Sequence, residues 1–184
     1  MIRRYGEFCP DIHDSAFIAV TAVIIGDVRV GAGSSIWFNT VVRGDVNRIR
    51  IGCRTNIQDL CMLHVSGRKN ENDSGAPLVI GNDITIGHCV TLHGCTIEDG
   101  AFIGMNSVIL DGCTICRGSM VAAGSLVPPG TIIPPRTLWM GTPAKFKRNV
   151  SQDDTERMVK TSAAYLQLAA TYREPALATA AGET

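Results

Sequence analysis

No sign of charge dominates this chain: 17 Lys plus Arg stand against 17 Asp plus Glu over 184 residues. That balance removes any electrostatic case for binding nucleic acid or an anionic membrane. Long apolar runs are missing too. The start, Met1 to Asp14, has no apolar stretch of signal-peptide kind, and nothing approaches transmembrane length. The expectation is a soluble, cytoplasmic protein. Histidine is scarce, four in all, and the seven cysteines suit reduced thiols rather than a disulfide framework.

What is present is a repeat. Large aliphatic residues recur at six-residue steps: Ile12, Ile18, Ile24, Val30, Ile36 and Val42, then Ile51, Ile57 and Leu63, then Ile80, Ile86 and Leu92. A last run goes through Ile97, Ile103, Ile109, Ile115, Val121, Val127 and Ile133. Four residues after each stands a small or β-branched side chain, such as Ala22, Ser34, Thr55, Val90 or Ser125. Glycine often follows the aliphatic residue directly, as at Gly52 and Gly81. A helix would bury residues at spacings of three and four, and a hairpin strand would alternate. A period of six fits neither. It fits short strands joined by tight bends, one large and one small residue pointing inward per strand, coil stacked on coil. Three such strands close a triangular coil of 18, so the chain reads as a mainly β parallel β-helix of about six to seven coils. Cys61 and Cys113 fall on the small inward positions, where a thiol behaves as a small hydrophobe.

Periodicity leaves the hand of the coil open, and the general crossover preference by itself favours a right-handed one. The [Leu/Ile/Val]-Gly-x-x-[small]-x pattern resembles the hexapeptide-repeat superfamily. That resemblance implies a left-handed coil.

Three irregularities interrupt the repeat. The step from Val42 to Ile51 is lengthened through Arg43–Arg48, the polar stretch 66–77 is expelled as a loop, and the step from Leu92 to Ile97 is shortened to five. All three flank the histidines, and broken regularity at one place marks a functional site. After Ile133 the pattern fades through Pro134-Pro135. Ser151 then suits the cap of a helix whose first turn is acidic and whose course holds Met158, Tyr165, Leu166 and Leu168. The expected units are a β-helix over 1–148, a helix over 149–173 packed alongside, and an unstructured tail over 174–184.

Leu63 and Leu92 each close a triplet, so His64 and His93 directly after them should stack one coil apart, about the 4.8 Å strand spacing. Two imidazoles so placed can reach one metal ion. His88 follows Ile86 on the preceding side of the triangle and points away from the pair within one chain. A threefold arrangement of subunits would bring His88 of one copy against His64 and His93 of the next, giving a homotrimer with metal shared across each interface. His13 reads as a polar turn residue. Three neutral imidazoles favour Zn2+ with a fourth position for water, and they accept Fe2+ or Co2+ as well. Zinc brings that water's pKa near 7, a value established for carbonic anhydrase.

At these residues the resemblance becomes specific. Val42-Arg43-Gly44-Asp45, Thr55-Asn56-Ile57-Gln58-Asp59, Leu63-His64-Val65, Ile86-Gly87-His88 and Leu92-His93-Gly94-Cys95 are similar to signatures of the γ-class carbonic anhydrase family, as are Gly104-Met105-Asn106 and 140–145. The resemblance, from about Tyr5 to Tyr172, implies a zinc lyase in which metal-bound hydroxide hydrates CO2 to bicarbonate. It implies His64 and His93 of one subunit and His88 of its neighbour as metal ligands. Gln58 would hydrogen-bond the bound hydroxide or bicarbonate and Asn56 would orient CO2. Arg43 and Asp59 would pair across the interface, supported by Asp45, and Tyr165 would overhang the metal. An equally open reading has Arg43, Asp45 and Asp59 simply sealing that interface.

The chain departs from the most active members in its proton route. Gly44 stands where they resemble a glutamate, and the loop offers only Glu71 and Asp73. Slow hydration is therefore expected, with Glu71 as a partial proton carrier. Two other classes stay open: a CoA thioester hydrolase or acyltransferase of the superfamily, and a non-catalytic trimeric assembly or binding module.

Overall fold

The structure, a computed structural model, describes residues 1–174. All but the first residue of the tail expected over 174–184 lie outside the described residues. Short strands, most of two or three residues, stack in parallel into three walls. The large aliphatic residue of each six explains why. On the first wall Ile12, Val30, Ile51, Ile80, Ile97, Ile115 and Ile133 lie side by side in register. Ile18, Ile36, Ile57, Ile86, Ile103, Val121 and Trp139 form the second column. The third holds Ile24, Val42, Leu63, Leu92, Ile109 and Val127. Columns of seven, seven and six make six complete coils and two sides of another. All these residues except Ile12, Ile18 and Trp139 are buried, each contributing roughly 2 kcal/mol of apolar burial.

The small inward residues satisfy the bends between walls. Ser34 Oγ donates to the Gly52 carbonyl at 2.7 Å and Thr55 Oγ1 to the Gly81 carbonyl at 2.8 Å. Glycine follows the aliphatic residue because coils touch there: a Cβ on Gly52 would stand 2.6 Å from the Gly81 carbonyl oxygen. Among the described residues no buried side-chain nitrogen or oxygen lacks a partner.

The lengthened step after Val42 does not leave the wall. Val41–Ile51 is one continuous strand, and its extra residues are absorbed as a register shift opposite Gly26 and Val28. The expelled loop has a closed neck, where Ser66 and Ala76 exchange two backbone hydrogen bonds of 3.0 Å. Where the repeat fades, the chain makes an antiparallel pair, Thr137–Gly141 with Ala144–Asn149, that ends the coil stack.

The helix, Gln152–Tyr172, starts on a capping box: Ser151 accepts from the Asp154 amide, and the Asp154 carboxylate accepts from the Ser151 amide. Arg148 also pairs with that carboxylate. Asp154, Met158, Tyr165 and Ala169 form the inward stripe, at helical spacing. Leu166 and Leu168 remain largely exposed, Leu166 reaching toward Gly33. The helix lies on the second wall, where half of the chain's ten aromatic residues meet: Trp37 packs on Phe17, Phe38, Tyr165 and Tyr172 at 5.1–6.3 Å between rings.

Candidate metal centre

The third wall brings His64 and His93 together. They are register partners on adjacent coils, and His64 Nδ1 lies 3.1 Å from His93 Nε2. Each ring's other nitrogen meets a carboxylate. His64 Nε2 is 3.1 Å from Asp45 Oδ1, and His93 Nδ1 is 2.5 Å from Asp111 Oδ1. Burial pushes the Asp45 carboxyl up, but hydrogen bonds from Arg43 and His64 outweigh it and hold it below the usual range. At Asp111 burial is likewise outweighed, by Ser66 and His93. Both acids are therefore ionised at neutral pH.

Ionised carboxylates only accept hydrogen bonds, so His64 Nε2 and His93 Nδ1 carry the protons. A neutral imidazole has only one. The two facing nitrogens, 3.1 Å apart, then both present lone pairs. Only a cation between them, a proton or a metal ion, makes that contact favourable. Two nitrogens on one tetrahedral zinc would be about 3.3 Å apart, close to what is seen.

His88 stands elsewhere, on the bend between the second and third walls. Its Nδ1 is 2.8 Å from Asp59 Oδ2, and its Nε2 faces the Tyr165 hydroxyl at 3.2 Å. With Nδ1 beside the Asp59 carboxylate, Nε2 is the nitrogen left to accept from the Tyr165 hydroxyl. Burial, with the Asp59 carboxylate, pushes the Tyr165 phenol up, which keeps it a donor. The backbone here is unusual. Leu60 and Cys89, beside Asp59 and His88, take φ of +62° and +60°, a costly conformation for side chains of their kind.

Asn56 and Gln58 are both buried on this side, under the helix. Asn56 Nδ2 donates to the Ile84 carbonyl at 3.3 Å and to Thr85 Oγ1 at 2.9 Å, and Gln58 Nε2 donates to Asn56 Oδ1 at 3.1 Å. The carbonyl fixes the Asn56 amide, Asn56 fixes Gln58, and Gln58 Oε1 is left as an acceptor. A cavity of about 470 Å³ lined by Gln58, His88, Met105 and Tyr165 adjoins them.

The expected residues thus fall into two groups. Arg43 and Asp45, 2.5 Å apart, join the His64–His93 pair. Asn56, Gln58, Asp59 and Tyr165 gather around His88. Within one chain Arg43 holds Asp45 and not Asp59, and among the described residues no three His, Cys, Asp or Glu side chains converge as a metal-holding group. Cys95 is buried, its thiol pushed well above the usual range by burial, while Cys89 is exposed. Sequence reading passed over Asp111. It lies one residue past Leu110, the position that follows His93 by one coil.

Comparison with known proteins follows the same lines. Residues 13–172 match the model of the dynactin subunit 5 family. The chain is 45% identical over 173 residues to a carbonic anhydrase of Geobacillus kaustophilus, covering 94% of this chain and 91% of that one. It is 46% identical over 160 residues to the mitochondrial gamma carbonic anhydrase 3 of Arabidopsis thaliana, covering 87% and 62%. A crystal structure from Bacillus cereus, that of a protein named as an acetyltransferase, superposes with TM-score 0.88 at 46% identity, covering 93% and 95%. For several other curated relatives the chain spans about half their length, 46–49%. No helix among the described residues is long and apolar enough to cross a membrane.

Proposed function

The chain belongs to the γ-class carbonic anhydrase family, within the left-handed hexapeptide-repeat β-helices, and from that premise we propose that it hydrates CO2 reversibly to bicarbonate at a metal shared between subunits of a homotrimer. One observation carries the reading: His64 and His93 each hydrogen-bond a carboxylate through one ring nitrogen and turn the other toward the same point, while His88 sets Nδ1 2.8 Å from Asp59. Carboxylate–histidine pairs of this kind orient metal ligands. His64 Nδ1 and His93 Nε2 would hold the ion from one copy and His88 Nε2 from the next. Zinc fits three neutral imidazoles, and iron or cobalt fits the same donors.

When bound, the metal supplies a Lewis acid that brings a water's pKa near neutrality. The chain's own residues do the rest. Gln58 Oε1 accepts a hydrogen bond from the attacking water and so fixes its orientation. The Asn56 donors are engaged by Ile84 and Thr85, so Asn56 acts by holding Gln58 rather than by gripping CO2 directly. Tyr165 must release His88 Nε2 when that nitrogen becomes a ligand, which leaves its hydroxyl over the site. Arg43, beside Asp45, is free to reach Asp59 of a neighbouring copy, and the three also close the interface. Glu71, exposed on the expelled loop, is the remaining proton carrier to solvent, so turnover is slow in weak buffer. Seven unpaired thiols agree with a cytoplasmic site of action.

A second reading, a trimeric module without catalysis, draws on the dynactin subunit 5 match. A third, acyl-CoA chemistry, draws on the acetyltransferase name of the Bacillus cereus neighbour. Metal analysis with stopped-flow CO2 hydration on anaerobically purified protein separates them. The expected outcome is about one zinc or iron per chain, hydration above the buffer rate, and no turnover of acetyl-CoA. Metal-free trimers without hydration would favour the assembly role, and acetyl-CoA turnover alone would favour the third.

A further inference from the structure

Asp111, the carboxylate partner of His93, also ties the site to the loop beside it. Its Oδ1 lies 2.5 Å from His93 Nδ1, and its Oδ2 accepts from Ser66 Oγ at 2.7 Å. Ser66 is the first residue of the expelled loop and closes its neck with Ala76. Asn47 Nδ2 secures that neck by donating to the Ser66 and Ser74 carbonyls, both at 3.0 Å. Gly94 makes room for the arrangement: at φ +52° it has no side chain where a Cβ would stand 2.5 Å from Asp111 Oδ1 and 2.6 Å from the Ala76 Cβ.

We propose that Asp111 is the positioning residue of His93, fixing its proton on Nδ1 and its lone pair on the site, and that Ser66 couples this setting to the expelled loop. The inference rests on the metal-centre reading for its consequence but not for its geometry. With the proton held on Nδ1, Nε2 is the only nitrogen His93 can offer to a ligand. Without Asp111 the ring is free to take the other tautomer or to turn. Without Ser66 the carboxylate loses its second anchor, and the loop no longer bears on the histidine.

The test has two readouts. In metal-free protein, imidazole 15N shifts report the tautomer of His93. Wild type should show the proton on Nδ1, Asp111→Ala should lose that preference, and Ser66→Ala should weaken it. Zinc affinity, measured by chelator competition, should fall roughly tenfold to hundredfold in Asp111→Ala. It should fall less in Ser66→Ala, and Asp111→Asn, which keeps an acceptor oxygen, should restore part of the loss. Unfolding curves on each variant separate these effects from loss of fold, and Ser66→Ala serves if Asp111→Ala does not fold. An unchanged His93 tautomer in both alanine variants overturns the inference, as does zinc affinity within about twofold of wild type. A wild type that binds no zinc overturns the metal-centre reading instead, and the tautomer measurement still judges Asp111.

Discussion

The two halves of the site are built in different ways. His64 and His93 sit on a wall, where the parallel ladder that stacks Leu63 on Leu92 stacks the histidines with them. His88 sits on a bend, between backbone positions at φ +62° and +60°, and its second contact comes from Tyr165, 77 residues away on the helix. One half is set by a six-residue period, with the loop neck at Ser66 beside it. The other needs the helix to be seated. The histidine pair thus rests on the wall, and the lone histidine lies under a docked helix.

Substitutions that strike one half and spare the other sharpen that contrast. The largest effect should come from Gly94→Ala, on the wall side. A Cβ there is both disfavoured at φ +52° and in collision with Asp111 and Ala76, so unfolding in urea should show a loss of about 1–3 kcal/mol. Zinc binding should weaken as His93 is pushed aside, while the nuclear magnetic resonance signature of His88 with Tyr165 stays as in wild type. If His88 shifts as much as His93, the halves are not independent.

A smaller effect is expected at the helix start. Arg148, followed by Ser151, holds the Asp154 carboxyl well below the usual carboxylate range. A carboxyl depressed in the folded state stabilises above its unfolded pKa, about 4. That contribution is lost as pH falls from there through the folded value. Asp154→Asn should therefore cost about 1 kcal/mol at neutral pH, since Arg148 is half exposed and its pairing is screened. Its thermal stability should fall less steeply than that of wild type below pH 4. The Tyr165–His88 contact should loosen, with the His64–His93 pair unmoved. An acid profile identical to wild type would remove Asp154 from the account of how the helix is held.

The contrast between the halves also decides what could be read in advance. The columns of Ile, Leu and Val, and with them the stacked histidine pair, follow from residue spacing, because in a β-helix sequence distance converts directly into position. Asp111 falls one residue off that stack, beside Leu110, so the same spacing does not point to it directly. The antiparallel pair at Thr137–Gly141 and Ala144–Asn149 is hard to read because its second strand is largely exposed and its apolar alternation stops at Phe146. The buried face of the helix is chosen by the aromatic seam at Trp37, which leaves Leu166 and Leu168 largely exposed. The contact of His88 with Tyr165 depends on that same seating, and no local pattern encodes it. Within its own chain Asp59 lies against His88, a contact that residue spacing does not announce.

The central claim is that neither half binds metal alone and that the halves meet across chains. Co-expression of His88→Ala and His93→Ala chains carrying different affinity tags tests it directly. Each variant alone should form trimers without zinc. In mixed trimers purified through both tags, one interface brings an intact pair against an intact His88, so about one zinc per trimer should return. Mixed trimers as empty as their parents, or full zinc in either variant alone, would contradict a site shared between subunits.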